Sequence, residues 1–289
     1  MRIVVTGKCG QVVRSMLESA HPGVEIVALG RPELDLAAPE TIYATIANAR
    51  PDIVVSAAAY TAVDKAEDEP ALAYAVNAAG AGAVAQAAAK LDVPVIHIST
   101  DYVFDGNKLE PYTEMDEPNP QSVYGASKLA GEQLVAEANT KHIILRTAWV
   151  YSPYGNNFLK TMLRLGRERD EISVVSDQHG NPTSAANISS IILTICHSIL
   201  SDKDFHHWGI YHLVDDSETT WFNWAEYIFT CASLKTNVKP IKSIEYTSKA
   251  KRPNNSRLSN DKLKNIFANS SFYDWKSSTD TVIGELVKS

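Results

Sequence analysis

Short apolar runs alternate with longer helical stretches through the first half of the chain. Arg2 to Val5 reads as a strand, followed by a glycine-containing turn and a helix through Leu17. Glu25 to Leu29 and Ile53 to Ala57 read as the second and third strands, the third introduced by Arg50-Pro51-Asp52. The stretch from Ala71 to Leu91 is Ala-rich and lacks proline, which predicts one long helix. Val93 to Ser99 and Ile143 to Thr147 are the next strands. Continuous apolar runs separated by helices are the pattern of parallel strands buried on both faces. Right-handed βαβ units then give a doubly wound, Rossmann-like α/β sheet.

After Val150 the strict alternation stops. Val174-Val175 and Gly209 to Val214 still read as short strands. The region from about Tyr211 onward, with Trp221, Trp224 and Trp275, reads as a smaller, partly helical lobe, and Trp221 and Trp224 fit one helical face of its core. The predicted organisation is a dinucleotide-binding domain over 1–150, to which later segments return, and a mainly substrate-binding lobe over 151–289.

Composition narrows the partners. The 289 residues are 45% hydrophobic, enough for a sizeable core, and the net charge is -7. Without a long basic run, nucleic acid is a poor partner, and an anionic ligand has to be held by a few local cations and helix N-termini. Cys9, Cys196 and Cys231 are far apart and form no CxxC pair, which fits a reducing compartment and argues against structural zinc. The chain opens directly on a strand, and no apolar run reaches membrane-spanning length. The expectation is a cytoplasmic protein with no membrane partner.

The chemistry concentrates at predicted strand ends. Gly7 and Gly10, in the turn Thr6-Gly7-Lys8-Cys9-Gly10-Gln11-Val12, allow close backbone approach to a dinucleotide pyrophosphate at a helix N-terminus. The second strand ends in Leu29-Gly30-Arg31 rather than in an acid for the ribose 2′-hydroxyl, so Arg31 favours a 2′-phosphate and NADPH, with NADH still open. Asp35 and Leu36 are expected beside the adenine, and Ala57-Ala58-Ala59 supply small side chains near the cofactor.

Tyr124 and Lys128 are four residues apart, so a helix puts both on one face. An ammonium near a phenol lowers the phenol pKa, and a tyrosine so tuned can protonate a carbonyl oxygen. Thr100, at the end of the fourth strand and followed by Asp101, can bond both the substrate oxygen and Tyr124. The charged run Asp64-Lys65-Ala66-Glu67-Asp68-Glu69 reads as a mostly solvated stretch.

These motifs, taken in order, resemble the dTDP-4-dehydrorhamnose reductases, a family of extended short-chain dehydrogenases. The resemblance runs nearly end to end. It includes Gly7 to Val12, Ala57 to Glu67 through Tyr60, Ser99 to Phe104, Val123-Tyr124-Gly125, Lys128 to Glu132, Arg146 to Tyr151 and Gly155-Asn156-Asn157-Phe158. Two later motifs, Asp177 to Thr183 and Arg252 to Leu258, lie outside the cofactor signature and point to this family rather than to the superfamily.

The resemblance implies NADPH-dependent reduction of the 4-keto group of a dTDP-sugar, with Tyr124 as proton donor, Lys128 as its tuner and Thr100 as its partner. It implies that Gln11, Val12 and Tyr60 join the cofactor site, and that Asp101, Trp149, Asn156 and Arg252 join the sugar-nucleotide site. Val13 replaces a usual third glycine, which predicts a slightly displaced helix. The glutamates that bridge some relatives through a cation are replaced by Arg14-Ser15-Met16 and Ser184-Ala185-Ala186, so no metal is expected, and the protein is a monomer or a dimer without a metal bridge.

Two other readings stay open. One is a non-catalytic, NADP-binding regulatory subunit that keeps the fold, and the other is a reductase of a related deoxy-sugar. A sugar-nucleotide dehydratase fits less well, because it commonly needs Asp-Glu after the threonine and this chain has Asp101-Tyr102.

Overall fold

Strands with no polar position facing outward can only be satisfied inside a sheet covered on both sides, and that is the arrangement found. In the computed structural model, which describes residues 1–268 and 271–288, β1 (Arg2–Thr6) leads through the glycine turn into α1 (Gln11–Glu18), β2 (Glu25–Leu29), α2 (Ile42–Ala49) and β3 (Ile53–Ser56). Two short helices follow, α3 (Val63–Ala66) and α4 (Pro70–Tyr74), before a π-turn at Ala75–Gly80 opens into α5 (Ala81–Lys90). Then come β4 (Val95–Thr100), α6 (Val123–Ala138) and β5 (His142–Thr147). The remainder is β6 (Val150–Tyr151), α7 (Phe158–Glu168), β7 (Glu171–Val175), β8 (His179–Gly180), β9 (Thr183–Ser184) and α8 (Ala185–Ser201). It continues through β10 (Gly209–His212), β11 (Thr219–Thr220), α9 (Trp221–Cys231), β12 (Asn237–Ile241), α10 (Asp261–Ile266) and α11 (Trp275–Lys288).

Six strands form one parallel sheet in the order β10-β5-β4-β3-β1-β2. Its two faces bury alternate side chains. Ile3, Val5, Ile53, Val55 and Leu145 meet Met16 of α1 and Ile188, Ile192 and Ile195 of α8. Val4, Val54 and Ile144 meet Ile42 and Ile46 of α2 and Val84 and Ala88 of α5. Each such aliphatic side chain contributes about 1.5–3 kcal/mol on full burial. β2 and β3 flank β1 on opposite sides, and the connecting helices α1 and α2 cover opposite faces of the sheet. The crevice at the C-terminal ends of β1 and β3 is therefore a topological switch point, the place where open α/β sheets take ligands.

Three sequence expectations change. The helix expected over Ala71 to Leu91 is interrupted by the π-turn, because Asn77 turns its carboxamide inward to bond Tyr60 and Ser127 instead of continuing a regular helix face. β4 starts at Val95, not Val93, since Asp92 is left-handed (φ 56) and Pro94 cannot donate to the ladder. The second core starts at Tyr151 rather than near Tyr211. It gathers Tyr151, Leu159, Met162, Ile172 and Val174 with Trp224, Ile228, Phe229, Trp275 and Ile283. Between these two groups of residues the chain returns to the large sheet, where α8 packs on α1 and β10 pairs with β5.

Candidate functional site

The crevice begins at Thr6, whose buried Oγ1 accepts hydrogen bonds from the Ala57 and Ala58 N–H groups, both at 3.0 Å. That bond ties the end of β1 to the end of β3. Gly7 has φ 99, which disfavours any side chain, and an added Cβ would lie 3.4 Å from Val13 Cγ2 and 3.6 Å from Ala58 Cβ. Val13 is 2% exposed and packs in the sheet-facing core beneath the turn. α1 starts at Gly10 with no side-chain cap and no acid in its first turn, so its N-terminal end suits an anion. The open turn, the small residues Ala57 to Ala59 and the uncapped helix together fit a dinucleotide.

Other predicted cofactor residues fall out differently. The Gln11 carboxamide accepts from Ser152 Oγ at 2.8 Å and Asn157 Nδ2 at 2.9 Å, so its side chain ties the glycine turn to the segment between β6 and α7. Val12 is partly buried against the sheet core. Arg31 is exposed just past β2, where Lys8 of the glycine turn is paired with Glu33. Asp35 caps its own turn by accepting from the Ala37 N–H at 3.0 Å. The Leu36 side chain is core, and its carbonyl abuts Gly80 so closely that a Cβ there would meet it at 2.5 Å. Tyr60 donates its hydroxyl to Glu69 at 2.7 Å.

Thr100, Tyr124 and Lys128 converge where β4 ends and α6 begins. Ser122 caps α6 by accepting from the Gly125 N–H at 3.1 Å, and Glu67 accepts from the Val123 N–H at 2.8 Å. Gly125 permits a close crossing, since a Cβ would sit 2.2 Å from the Tyr102 carbonyl oxygen. Thr100 is buried, and its Oγ1 donates to Asp101 Oδ1 at 2.9 Å. Burial pushes the Asp101 carboxyl up to about 6, although Ser256 and Thr100 hydrogen bonds oppose the rise.

The expectation for Tyr124 needs correction. Burial raises its phenol well above the ordinary value, opposed by a hydrogen bond with Thr100, and Lys128 does not lower it. The Lys128 ammonium is engaged elsewhere: Nζ donates to the Ile98 carbonyl at 2.6 Å and lies 3.4 Å from His97 Nε2. Its own pKa is pushed down to about 8 by burial. In this geometry Tyr124 is a protonated donor. Its ring meets that of Tyr102 edge-on at 5.5 Å.

Behind the trio lies a buried ion pair. Arg146 and Glu132, 2% and 3% exposed, share two-pronged hydrogen bonds at 2.9 and 2.7 Å, and Ser99 Oγ donates to Glu132 at 2.5 Å. The pair locks α6 to the ends of β4 and β5.

The two late motifs interlock to bring the remaining candidates to the same cleft. The His179 N–H donates to the Asn254 carbonyl at 2.9 Å, the Ser256 N–H donates to the His179 carbonyl at 2.8 Å, and Asn181 Oδ1 accepts from the Leu258 N–H. Arg252 thereby lies against Tyr102 with Nη2 bonded to Asp64 Oδ2 at 2.8 Å, while its buried Nε has no partner. Asp64 also accepts from the Ala250 N–H, and Lys249 pairs with Asp68. The charged run is therefore a clasp for the late motif as well as a solvated stretch.

Trp149 adopts φ 47 and stacks on Trp221 at 3.6 Å, over Gly180, where a Cβ would strike the indole at 2.4 Å. Trp224 is core, as read from the sequence, whereas Trp221 is partly buried against Trp149. Asn156 is exposed, and its neighbour Asn157 is the residue built into the structure, as cap of α7 and partner of Gln11. Among the described residues no group of three or more His, Cys, Asp or Glu could hold a metal ion, and no helix is long and apolar enough to cross a membrane.

Residues 1–288 match the family model described as RmlD substrate binding domain. A dTDP-4-dehydrorhamnose reductase of Sinorhizobium fredii (strain NBRC 101917 / NGR234) is 50% identical over 291 residues, covering 99% of this chain and 98% of its own length. The chain belongs to the dTDP-4-dehydrorhamnose reductase family. The corresponding enzyme of Escherichia coli (strain K12) is 40% identical, with 99% and 98% covered. The crystal structure of dTDP-4-dehydrorhamnose reductase from Bacillus anthracis str. Ames in complex with NADP superimposes with a TM-score of 0.92 at 38% identity, covering 98% of this chain and 99% of the other. A UDP-glucose 4-epimerase of Thermus thermophilus, 18% identical with a TM-score of 0.81 and 99% of each chain covered, shares the fold.

In this member of the reductase family, sequence reading passed over the residues that place the trio: Glu67, Asn77, His97, Glu132 and, as a side-chain partner, Arg146. A lone amide inside the apolar run Ala75-Val76-Asn77-Ala78, and a histidine inside the strand Val95-Ile96-His97-Ile98, were the signals available. Each is a polar residue where the period demands an apolar one.

Proposed function

We propose that this protein reduces the 4-keto group of dTDP-4-dehydro-6-deoxy-L-mannose to give dTDP-L-rhamnose, with NADPH as the preferred reductant and NADH as an alternative. The observation that carries the reading is the meeting of Thr100, Tyr124 and Lys128 beside the switch-point crevice, within a chain whose late motifs also match the family. When bound, the cofactor supplies the hydride to the sugar C4. Tyr124 delivers its phenolic proton to the carbonyl oxygen, and its raised pKa keeps that proton in place until charge develops on the oxygen. Thr100 orients the phenol and the substrate oxygen, beside Asp101. Lys128 serves the nicotinamide ribose and, through it, the tyrosine.

Gly7, Gly10, Gln11 and Val12 take the pyrophosphate side through the backbone at the start of α1. Arg31 takes the 2′-phosphate, Asp35 and Leu36 lie beside the adenine, and Ala57 to Tyr60 line the ring side. Trp149 covers the apolar face of the sugar, while Arg252 and Asn156 take the diphosphate. The cofactor domain then comprises 1–150 with the segments that rejoin its sheet, and 151–289 supplies most of the substrate lobe. We place the reaction in the cytoplasm, carried out by a monomer or by a homodimer without a metal bridge.

The test is Tyr124→Phe, which removes the proton and little volume. With NADPH and the keto sugar, kcat falls by roughly 10²–10⁴-fold while NADPH binding persists. Near-normal turnover removes Tyr124 from the mechanism. No turnover by the unmodified protein, with NADPH still bound, favours the regulatory reading.

A further inference from the structure

His97 has no role in the chemistry above, yet its ring lies within hydrogen-bond reach of the Lys128 ammonium. It is 1% exposed in the middle of the sheet. Its Nδ1 lies 3.1 Å from Ser56 Oγ, on the residue paired with it across β3 and β4, and its Nε2 lies 3.4 Å from Lys128 Nζ. An ammonium has donors only, so the nitrogen facing it has to be the unprotonated one. The ring proton therefore sits on Nδ1 and is donated to Ser56. Burial, and then the neighbouring ammonium, hold the imidazole pKa well below its ordinary value. The ring stays neutral and acts as a fixed acceptor, not as a proton carrier. Ile98 O and His97 Nε2 take two of the three ammonium protons, which leaves the third for the crevice.

We propose that His97, held in one tautomer by Ser56, is a positioning residue that keeps Lys128 protonated and aims its remaining N–H at the cofactor ribose. This rests on the reading of Lys128 given under Proposed function. Other groups share in holding the charge: the Ile98 carbonyl accepts at 2.6 Å, and the Glu132 carboxylate, one turn along α6 and itself bonded by Arg146 and Ser99, favours the charged form of Lys128. His97 adds the side-chain acceptor at Nζ. Ser56 on β3, and Asn77 and Ser127 on the π-turn and α6, are neutral and bonded to other partners. Burial has already brought the Lys128 pKa down to about 8, so losing one acceptor would lower its protonated share further towards neutral pH.

The experiment compares pH profiles for the unmodified protein, His97→Phe, His97→Gln and Ser56→Ala. Phenylalanine keeps most of the volume without an acceptor, whereas glutamine can present its Oε1 where Nε2 was. Two quantities are read from pH 6 to 10: kcat with saturating NADPH and keto sugar, and the Kd for NADPH alone from nicotinamide fluorescence. The alkaline limb of kcat should move down by about one pH unit in His97→Phe, the size of one lost charged hydrogen bond. The loss of NADPH affinity with rising pH should begin correspondingly earlier. His97→Gln should stay within roughly a third of a unit of the unmodified protein, and Ser56→Ala should shift both limbs in the same direction by less than His97→Phe.

An unchanged limb in His97→Phe, or equal shifts in His97→Phe and His97→Gln, overturns the proposal. Should His97→Phe not fold, an unshifted Ser56→Ala overturns it equally well. If the unmodified protein turns over no keto sugar, the functional reading fails on its own, while the pH dependence of NADPH binding still decides the role of His97.

Discussion

Replacing Lys128 by methionine should make the folded protein more stable at neutral pH while removing most of its turnover. Lys128 is 2% exposed, and its pKa falls from an ordinary 10.5 to about 8 because burial penalises the charge. At 1.36 kcal/mol per pH unit, that fall represents a stability cost of about 3 kcal/mol at pH 7. Methionine keeps an unbranched chain of similar reach and needs no hydration. Against this, the Ile98 carbonyl loses a 2.6 Å donor and His97 Nε2 loses its ammonium partner, a combined offset of about 2 kcal/mol. The expected net gain is about 1 kcal/mol.

The pH dependence identifies the cause. Below pH 8 both folded and unfolded chains carry the lysine proton, so the full cost is present. Between about 8 and 10.5 the unfolded chain binds more protons than the folded one, and stability of the unmodified protein therefore rises with pH. Above 10.5 both states are neutral and the cost is gone. The advantage of Lys128→Met should accordingly be clear at pH 7 and reversed at pH 10.5, where the burial cost has gone and only the lost hydrogen bonds remain. Urea unfolding followed by circular dichroism at both pH values, with the m-value unchanged, measures it. A variant less stable than the parent at pH 7, or an advantage equal at both pH values, would refute the reasoning. The result would make Lys128 a residue kept for chemistry at the expense of the fold.

The remaining expectations concern binding and packing. Arg31→Ala should weaken NADPH by about 1.5–3 kcal/mol and leave NADH nearly unchanged in fluorescence titrations, because only NADPH carries the 2′-phosphate. Arg252→Ala should raise KM for the sugar nucleotide with kcat largely kept, since diphosphate binding is similar in ground and transition states; an unchanged KM would put the phosphate site elsewhere. Under the proposed role of the indole stacked on Trp221, holding the sugar against the hydride donor, Trp149→Ala should lower kcat as well. Gly131→Ala should destabilise the protein by about 2–3 kcal/mol in urea unfolding, because its Cβ would sit 2.1 Å from the Asn77 carbonyl oxygen and force α6 away from the π-turn.

Much of the candidate site was legible because its residues sit on motifs with fixed local geometry. The glycine turn follows a strand and opens a helix, so Gly7 and Gly10 could be placed from sequence alone. Tyr124 and Lys128 share a face by helical spacing, and Thr100 ends a strand. The state of those groups was not legible. Proximity of Tyr124 and Lys128 along a helix suggested a lowered phenol pKa, yet in the fold the ammonium turns to Ile98 and His97, and burial raises the phenol instead. Gln11 and Leu36 are proposed cofactor residues by position, but what their side chains do was not legible: the carboxamide of the one ties two segments together and the side chain of the other is core, set by partners far along the chain.

By itself, then, the sequence determined what depends on neighbours a few residues away: strand and helix type, the parallel sheet, the glycine turn and the i,i+4 pair. Periodicity and turn chemistry act over one or two turns of backbone and need no tertiary partner to be read. Tertiary structure decided what depends on residues far apart: the clasp of Asp64 on Arg252 across 188 positions, the Glu132–Arg146 pair behind the trio, and the return of α8 and β10 to the large sheet. It also decided protonation. A pKa follows burial and charge in three dimensions, and neither the 2% exposure of Lys128 nor the imidazole beside it is written in the spacing of the motif.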